Sequence, residues 1–260
     1  MRISTLSGPL LRGKPERLFV LDYGLFDVTA ARPPRRIGIP GFLVGTDAGE
    51  WALFDTGFPR EYADDHAAAS ARDGLGAFGK VVRLGPENLP EAQLTLAGVA
   101  PEEVTVMVQT HTHIDHAGSM GGFPGLGDVP VVIGAAERAL PRPAPIFGDG
   151  GAWPDRDWRC VEGDVDLGSG LRLLSLPGHA PGQLGALVTL PETGSVLLTC
   201  DAASRPGEVV EGYAGSFDPE AARASGARLM RLAAETDAWI VWGHDPGQWR
   251  VLRKAPEWYG

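Results

Sequence analysis

Three of the six histidines in this chain of 260 residues fall within six positions, in the stretch QTHTHIDHAG (109 to 118). His111 and His113 are two positions apart, so on an extended segment both side chains point the same way and can bind one metal ion. Asp115 and His116 follow a turn and point elsewhere, which suits a second ion nearby. Imidazole nitrogen and carboxylate oxygen are ligands that zinc prefers. The pattern predicts a metal site, with a proton-handling site or a pH-sensitive polar loop as the alternatives.

Three further ionisable residues follow apolar runs that are typical of strands. His179 lies in PGH, Asp201 in CD and His244 in GHD. Layered α/β folds assemble their sites at strand ends, where loops converge and the sheet holds them rigid. Taken singly, such residues are more often surface or helix-capping groups. Together with the histidine stretch they indicate one site, and only His66 among the histidines falls elsewhere, in a predicted helix.

Other candidates accompany this set. Asp55, in LFDTG, ends another strand-like run and is either a turn residue or a carboxylate that orients a ligand histidine. Large aromatic residues in predicted loops are candidates for a substrate pocket, although such residues are core by default. These pocket candidates are Phe26, Phe147, Trp153, Trp158 and Tyr213.

Short apolar runs alternate with helical patterns along the chain, which predicts a layered α/β sandwich. The predicted strands are 17–28 with a turn at Tyr23 and Gly24, 41–46, 50–57, 104–110, 129–135, 171–178, 195–202 and 237–244. The predicted helices are 59–74, 90–98 and 218–236, the last capped by Asp218 with Pro219 in its first turn.

Composition narrows the class of protein. A net charge of −10 with dispersed Lys and Arg argues against a nucleic-acid partner. No apolar run has the length of a membrane span, and charges interrupt the first twenty residues where a signal peptide would be apolar. Two cysteines form no disulfide framework. We therefore expect a cytoplasmic protein without membrane contact, and an apolar N-terminal segment is compatible with a homodimer.

The motifs HTHIDHAG, PGHAPG, CDA and GHD, with LFDTG upstream, resemble those of the metallo-β-lactamase superfamily. The resemblance implies a four-layer αβ/βα sandwich, in which two similar halves join near residue 165 within one domain spanning 1–260. It implies two divalent metal ions, with zinc favoured and iron, manganese or cobalt also compatible with these ligands. The implied ligands are His111, His113 and His179 for the first ion, Asp115, His116 and His244 for the second, and Asp201 as the bridge.

Within the superfamily, the chain most resembles the lactonases that open N-acyl-homoserine lactones and their relative that opens 4-pyridoxolactone. The stretches IPGFLVGTDAGEWALFDTGFPRE and EGDVDLGSGLRLLSLPGHAPG carry this resemblance. It implies opening of a lactone or related small ester by a metal-bridging hydroxide, with Asp115 passing a proton to the leaving alkoxide. The alternatives are a thioester hydrolase of glyoxalase II type, a weak β-lactamase, and a metal-binding regulatory protein without turnover.

Two positions depart from the lactonase pattern. Ser204, a further candidate for the substrate pocket, stands where those lactonases usually have a tyrosine whose hydroxyl assists the substrate carbonyl. Gln183 replaces the second histidine of PGHTPGH. Neither change removes a metal ligand, but the first leaves the identity of the lactone open. Cys200, adjacent to Asp201, is predicted to face the core from the opposite side of its strand.

Overall fold

Two β-sheets form the centre of the fold in the computed structural model, which describes residues 2–260. The larger sheet contains β1 (Arg2–Thr5), β2 (Pro15–Val28), β3 (Arg35–Thr46), β4 (Trp51–Phe54), β5 (Gly79–Arg83), β6 (Val104–Gln109), β7 (Pro130–Gly134) and β8 (Asp157–Val161). The smaller sheet contains β9 (Val165–Gly168), β10 (Leu171–Ser175), β11 (Leu184–Leu190), β12 (Gly194–Cys200) and β13 (Trp239–Trp242).

The helices lie between or after these strands. They are α1 (Glu61–Asp64), α2 (His66–Asp73), α3 (Pro90–Leu96), α4 (Ala135–Arg138), α5 (Pro206–Glu211), α6 (Pro219–Thr236) and α7 (Pro246–Val251). No helix within residues 2–260 is long and apolar enough to cross a membrane.

Side-chain alternation along the strands builds the layers. On β2, Leu18 and Val20 belong to the core between the sheets, whereas Phe19 and Leu21 face the cluster that includes residues of α1, α2 and α3. The outer face of the smaller sheet packs on α6 in the same way. Two apolar faces per sheet, each covered by a different layer, explain why these strands are hydrophobic almost throughout. The result is helix, sheet, sheet, helix, which confirms the predicted fold class.

Strand direction brings the loops of the site together. The strand order of the larger sheet is β1-β8-β7-β6-β4-β3-β2-β5. Within it, the neighbouring strands β4, β6, β7 and β8 are parallel. In the smaller sheet, β12 and β13 are parallel in the order β13-β12-β11-β10-β9. The chain passes from one sheet to the other between Val161 and Val165. The Leu184 amide at the start of β11 donates to the Thr110 carbonyl after β6 at 2.9 Å, which joins the two sheets beside the site.

Several predicted elements differ in the structure. Strand β2 continues through Tyr23 and Gly24, because a register shift bends it there without reversing it. The predicted helix 59–74 is two helices, since Asp65 is extended and its side chain caps α2. Strands β1, β5, β8 and β9, of four or five residues each, were not predicted. Strand β11 was not predicted either, although its sequence LGALVTL is largely apolar. Helix α6 begins as predicted, with the Asp218 side chain accepting from two backbone amides.

Candidate metal centre

Seven side chains from four loops converge at the edge where β6, β10, β12 and β13 end. Their ligand atoms form three overlapping groups, and within each group the atoms lie no more than 4.8 Å apart. The groups are His111, His113 and His179; His111, His116 and Asp201; and Asp115, His116 and His244. The structure thus brings together all seven residues predicted as ligands, from segments up to 133 positions apart in the sequence.

Asp201 lies at the middle of this cluster. Its Oδ2 is 3.4 Å from His179 Nε2, whereas its Oδ1 is 3.1 Å from His244 Nε2 and 3.4 Å from His116 Nε2. Each carboxylate oxygen therefore faces a different set of imidazoles. This is the arrangement expected of a carboxylate shared between two cations.

Unpaired nitrogen in the cluster indicates what the site is built to hold. His111 is fully buried, and its Nε2 has no hydrogen-bond partner among the described residues. Two further ring nitrogens, His113 Nδ1 and His179 Nε2, lie only 2.9 Å apart. Burying a polar atom without a partner costs free energy, and a divalent cation would supply a partner to His111 Nε2 and, in place of their contact with each other, to the other two nitrogens. The residues present therefore fit a metal centre, and their donor atoms leave the choice of metal open.

Electrostatics divide the histidines into two classes. Burial, reinforced by neighbouring imidazoles, lowers the pKa of His111, His113 and His179, which keeps them neutral as metal binding requires. Burial also disfavours the charged form of His244, but Asp201 and Asp115 outweigh it and raise its pKa to about 9. Asp115, Asp201 and Asp55 likewise outweigh burial and raise the pKa of His116, so these two imidazoles favour the charged form, whose place a bound cation would take.

Asp55 fixes the orientation of the His116 ring through a hydrogen bond to its Nδ1. It is buried at the end of β4, in a left-handed backbone conformation with φ of 59°. Its Oδ2 accepts from His116 Nδ1 at 2.8 Å and from the Thr110 hydroxyl at 2.7 Å. Its Oδ1 accepts from the Thr110 amide at 2.8 Å and from Gln109 Nε2 at 3.1 Å. With Nδ1 engaged, His116 directs Nε2 into the cluster, which is the geometry required by the predicted orienting role.

The loops that carry His179 and His244 are also fixed by the backbone. His244 Nδ1 donates to the Gly38 carbonyl at 2.8 Å, so its Nε2 faces Asp201. The Phe217 amide donates to the His179 carbonyl at 3.3 Å, and the Asp218 amide donates to the Gly178 carbonyl at 2.8 Å. The start of α6 therefore holds the His179 loop directly.

A cavity of about 570 Å³ opens onto the cluster. One side is apolar, and its rings contact one another: Phe26 stacks on Phe58 and Phe78, and Phe147 contacts Phe78. Val28, Ile37 and Leu75 are among the other apolar residues that line the cavity. His113, Asp115, His179, Asp201 and His244 form the floor. Such a cavity suits a small molecule with a polar reacting group and an apolar substituent.

A polar part of the cavity wall comes from the segment after Asp201, and Arg32 and Arg35 also line the cavity. Ser204, Arg205, Glu208 and Glu211 line it. Glu208 Oε2 accepts from the Ser204 amide at 2.7 Å, and Arg205 forms an ion pair with Glu211. Burial, with a contribution from Asp201, raises the pKa of Glu208. This wall therefore places a carboxyl group beside the cluster.

The predicted pocket residues fall in different places. Phe26, Phe147, Ser204 and Tyr213 line the cavity, although the Tyr213 hydroxyl packs against Gly226 of α6 and has no hydrogen-bond partner among the described residues. Trp153 and Trp158 are not at the cavity. They form an edge-to-face pair on the outer side of the larger sheet, because apolar residues of β6 and β7 cover that face with them.

Three polar residues of the site region were missed by the sequence reasoning. Gln109 Nε2 donates to the carbonyls of His111 at 2.6 Å and His116 at 3.1 Å, and its place inside the histidine stretch was the available signal. Glu208 and Glu137 lie on short helices, where no spacing distinguishes them from surface carboxylates. Cys200 is buried in the core between the sheets, as predicted.

Stacked mixed sheets, helices on both outer faces and a histidine–aspartate cluster at one edge define a sandwich protein with a candidate dinuclear metal centre. The chain belongs to the metallo-beta-lactamase superfamily, whose sequence profile matches residues 38–244. That range contains all seven clustered residues.

Known relatives agree with this assignment. The chain is 28% identical over 234 residues to the N-acyl homoserine lactonase AiiA of Bacillus thuringiensis subsp. kurstaki, covering 88% of this chain and 90% of the relative. It is 35% identical over 185 residues to the N-acyl homoserine lactonase AttM of Azorhizobium caulinodans, covering 65% and 68%. A solved N-acyl homoserine lactone hydrolase, with the product N-hexanoyl-L-homoserine at its catalytic metal centre, has the same fold. It superposes with a TM-score of 0.81 at 24% identity, covering 95% of this chain and 100% of that one.

Proposed function

We propose that this protein is a dinuclear metal-dependent hydrolase that opens lactone rings, with N-acyl homoserine lactones as the first substrate class. The observation that carries the proposal is Asp201, whose two oxygens face two different sets of imidazoles beneath a half-apolar cavity. The lactonase relatives, matched over most of their length, support the choice of lactones over other esters.

The proposed ligands fall into two sets joined by one bridge. His111, His113 and His179 would hold the first ion, and Asp115, His116 and His244 the second, with Asp201 shared between them. When bound, the two cations would supply Lewis acidity, which lowers the pKa of water and polarises a carbonyl. Zinc is the proposed metal.

Asp115 is the proposed proton carrier. Its Oδ2 lies 3.6 Å from His244 Nε2 and 3.7 Å from His116 Nε2, and the residue lines the cavity floor. A carboxylate in this position takes the proton of the attacking water and returns it to the alkoxide that leaves when the ring opens. The apolar side, with Phe26, Phe58 and Phe147, would hold the substituent of the ring and exclude water from it.

A substrate panel tests the proposal. We expect N-acyl homoserine lactones to be hydrolysed, with kcat/KM rising with acyl length as the chain fills the apolar side of the cavity. Plain γ- and δ-lactones should be slower, and a thioester and a β-lactam slowest. A chelator should abolish all activity. A preference for the thioester or the β-lactam would instead identify one of the alternative hydrolases, and no turnover of any substrate by metal-loaded protein would favour a binding role.

A matched pair of histidine variants completes this test. His113→Ala should lower kcat/KM by about 100-fold or more, because a bound Lewis acid lowers the activation barrier by several kcal/mol. His66→Ala removes a histidine outside the cluster, at the start of α2, and should leave kcat/KM unchanged. Equal effects of the two substitutions would contradict the assignment of His113.

A further inference from the structure

Glu137 is a buried carboxylate that the proposed chemistry does not use. It lies on α4 and is fully buried. No cation pairs with it among residues 2–260; its partners are instead three hydrogen-bond donors. Oε1 accepts from the Thr112 amide at 3.0 Å and from the Thr112 hydroxyl at 2.6 Å, and Oε2 accepts from the Gly182 amide at 3.1 Å. Burial of a carboxylate is costly, and here hydrogen bonds to both of its oxygens offset that cost.

The three donors belong to the segments that carry the first group of histidines. Thr112 stands between His111 and His113, and Gly182 lies three positions after His179 in the loop between β10 and β11. Glu137 therefore joins a loop of the larger sheet to a loop of the smaller sheet through one side chain. The Thr112 hydroxyl also accepts from the Ala144 amide at 3.0 Å, which extends the connection to the loop that reaches Phe147 in the cavity wall.

Packing leaves little freedom in this connection. A Cβ atom at Gly182 would lie 2.4 Å from the Glu137 amide nitrogen and 2.5 Å from the Glu137 Cβ. Helix α4 thus rests directly on the backbone of the His179 loop. The carboxylate is consequently held at one position, and its hydrogen bonds hold both loops in place relative to it.

We propose that Glu137 is a positioning residue that sets the spacing of His111, His113 and His179 for the first metal ion. This inference rests on the proposed metal centre. A carboxylate is required because donors point at both of its oxygens. Glutamine retains the size but offers one acceptor oxygen, so its amide NH₂ group would face either the Thr112 donors or the Gly182 amide. Glu137→Gln should therefore disconnect one of the two loops with little change of shape.

Zinc retention provides the test. Zinc-loaded wild-type protein and the Glu137→Gln variant are exposed to increasing concentrations of a chromophoric chelator, and zinc release is followed by absorbance. We expect the variant to lose one of its two zinc ions at about 10-fold to 100-fold lower chelator concentration, as is typical when a residue supporting metal ligands is replaced. The second ion should be released as in the wild type.

A control separates positioning from general destabilisation. Gln93 is also buried and connects the Asp22 amide to the Glu87 carbonyl, away from the four ligand loops. Gln93→Ala should lower the Tm and leave zinc release unchanged. Where Glu137→Gln fails to fold, Glu137→Asp, which keeps the charge but is one methylene shorter, should show the same selective loss.

The contradicting outcomes are distinct. Glu137→Gln with wild-type retention of both ions would overturn the role of Glu137 and leave the metal centre standing. Equal loosening of both ions, matched by Gln93→Ala at the same loss of Tm, would also overturn it. Wild-type protein that retains no zinc would overturn the metal centre together with this inference.

Discussion

At the residue scale, the proposed centre depends on imidazole rings whose orientation is fixed by hydrogen bonds to the ring nitrogen that does not face the cluster. Asp55 does this for His116, and four donors from three residues point at its carboxylate. Such partners fix the tautomer of a ligand histidine and make it a better donor to a metal.

Replacing Asp55 by asparagine tests this support. The amide presents N–H groups where the carboxylate accepted hydrogen bonds, so at least one of the four donors loses its partner. We expect metal affinity to fall by about 10-fold to 100-fold, measured by competition with a chelator. Asp22→Asn removes a carboxylate that pairs with Arg83 at a different place in the fold, and its metal affinity should match the wild type. Unchanged affinity in Asp55→Asn would show that Asp55 is only a turn residue.

Residue types differ in how much they reveal from sequence alone. Histidine is rare in this chain, so five histidines at strand ends were informative, and all five lie in the cluster. Aspartate and glutamate together number 33, so Glu137 and Glu208 could not be distinguished from surface carboxylates. Their positions depend on burial by segments distant in sequence, which no local spacing encodes.

At the element scale, the start of α6 and the His179 loop behave as one unit. Gly178 has φ of 139°, and a Cβ atom there would lie 2.2 Å from the Ala222 amide nitrogen. The loop approaches the helix this closely because its residue has no side chain.

Gly178→Ala is expected to displace the His179 loop. The unfavourable backbone conformation costs roughly 1–3 kcal/mol, and the contact with α6 adds to this, so the free energy of unfolding and zinc retention should both fall. Gly194→Ala provides the control, since Gly194 also has a positive φ but has open space around it. That variant should lose stability by the backbone cost alone and keep its zinc. Equal zinc retention in the two variants would contradict the coupling of α6 to the site. Denaturant unfolding and elemental analysis measure both quantities.

Elements with strong local signals were predicted well, and elements without them were not. Helix α6 has a capping aspartate, a proline in its first turn and an apolar stripe, and all three were recognisable in sequence. The break between α1 and α2 was missed because an aspartate inside a run compatible with a helix is not distinguished from a cap by its type alone, and Asp65 is the cap of α2. Strand β1 was missed because all four of its residues are exposed, so no apolar pattern marks it.

At the scale of the whole molecule, the site spans both sheets. His111, His113, Asp115 and His116 follow a strand of the larger sheet, whereas His179, Asp201 and His244 follow strands of the smaller sheet. Metal ions bound between them would stabilise the assembled fold as well as supply chemistry. The cavity was not predictable as a shape, because β2, β3, the loop at Phe147 and the segment at Glu208 build it from distant parts of the chain.

The most direct test of the two-metal proposal is a zinc titration of chelator-treated protein, with N-acyl homoserine lactone hydrolysis and Tm measured in the same samples. We predict no hydrolysis without metal, a rise that reaches its plateau at two zinc ions per chain, and a Tm that increases with each addition. Asp201→Asn should lower the affinity for both ions. Hydrolysis by the metal-free protein, or protein carrying two zinc ions that opens no lactone, would contradict the proposed function.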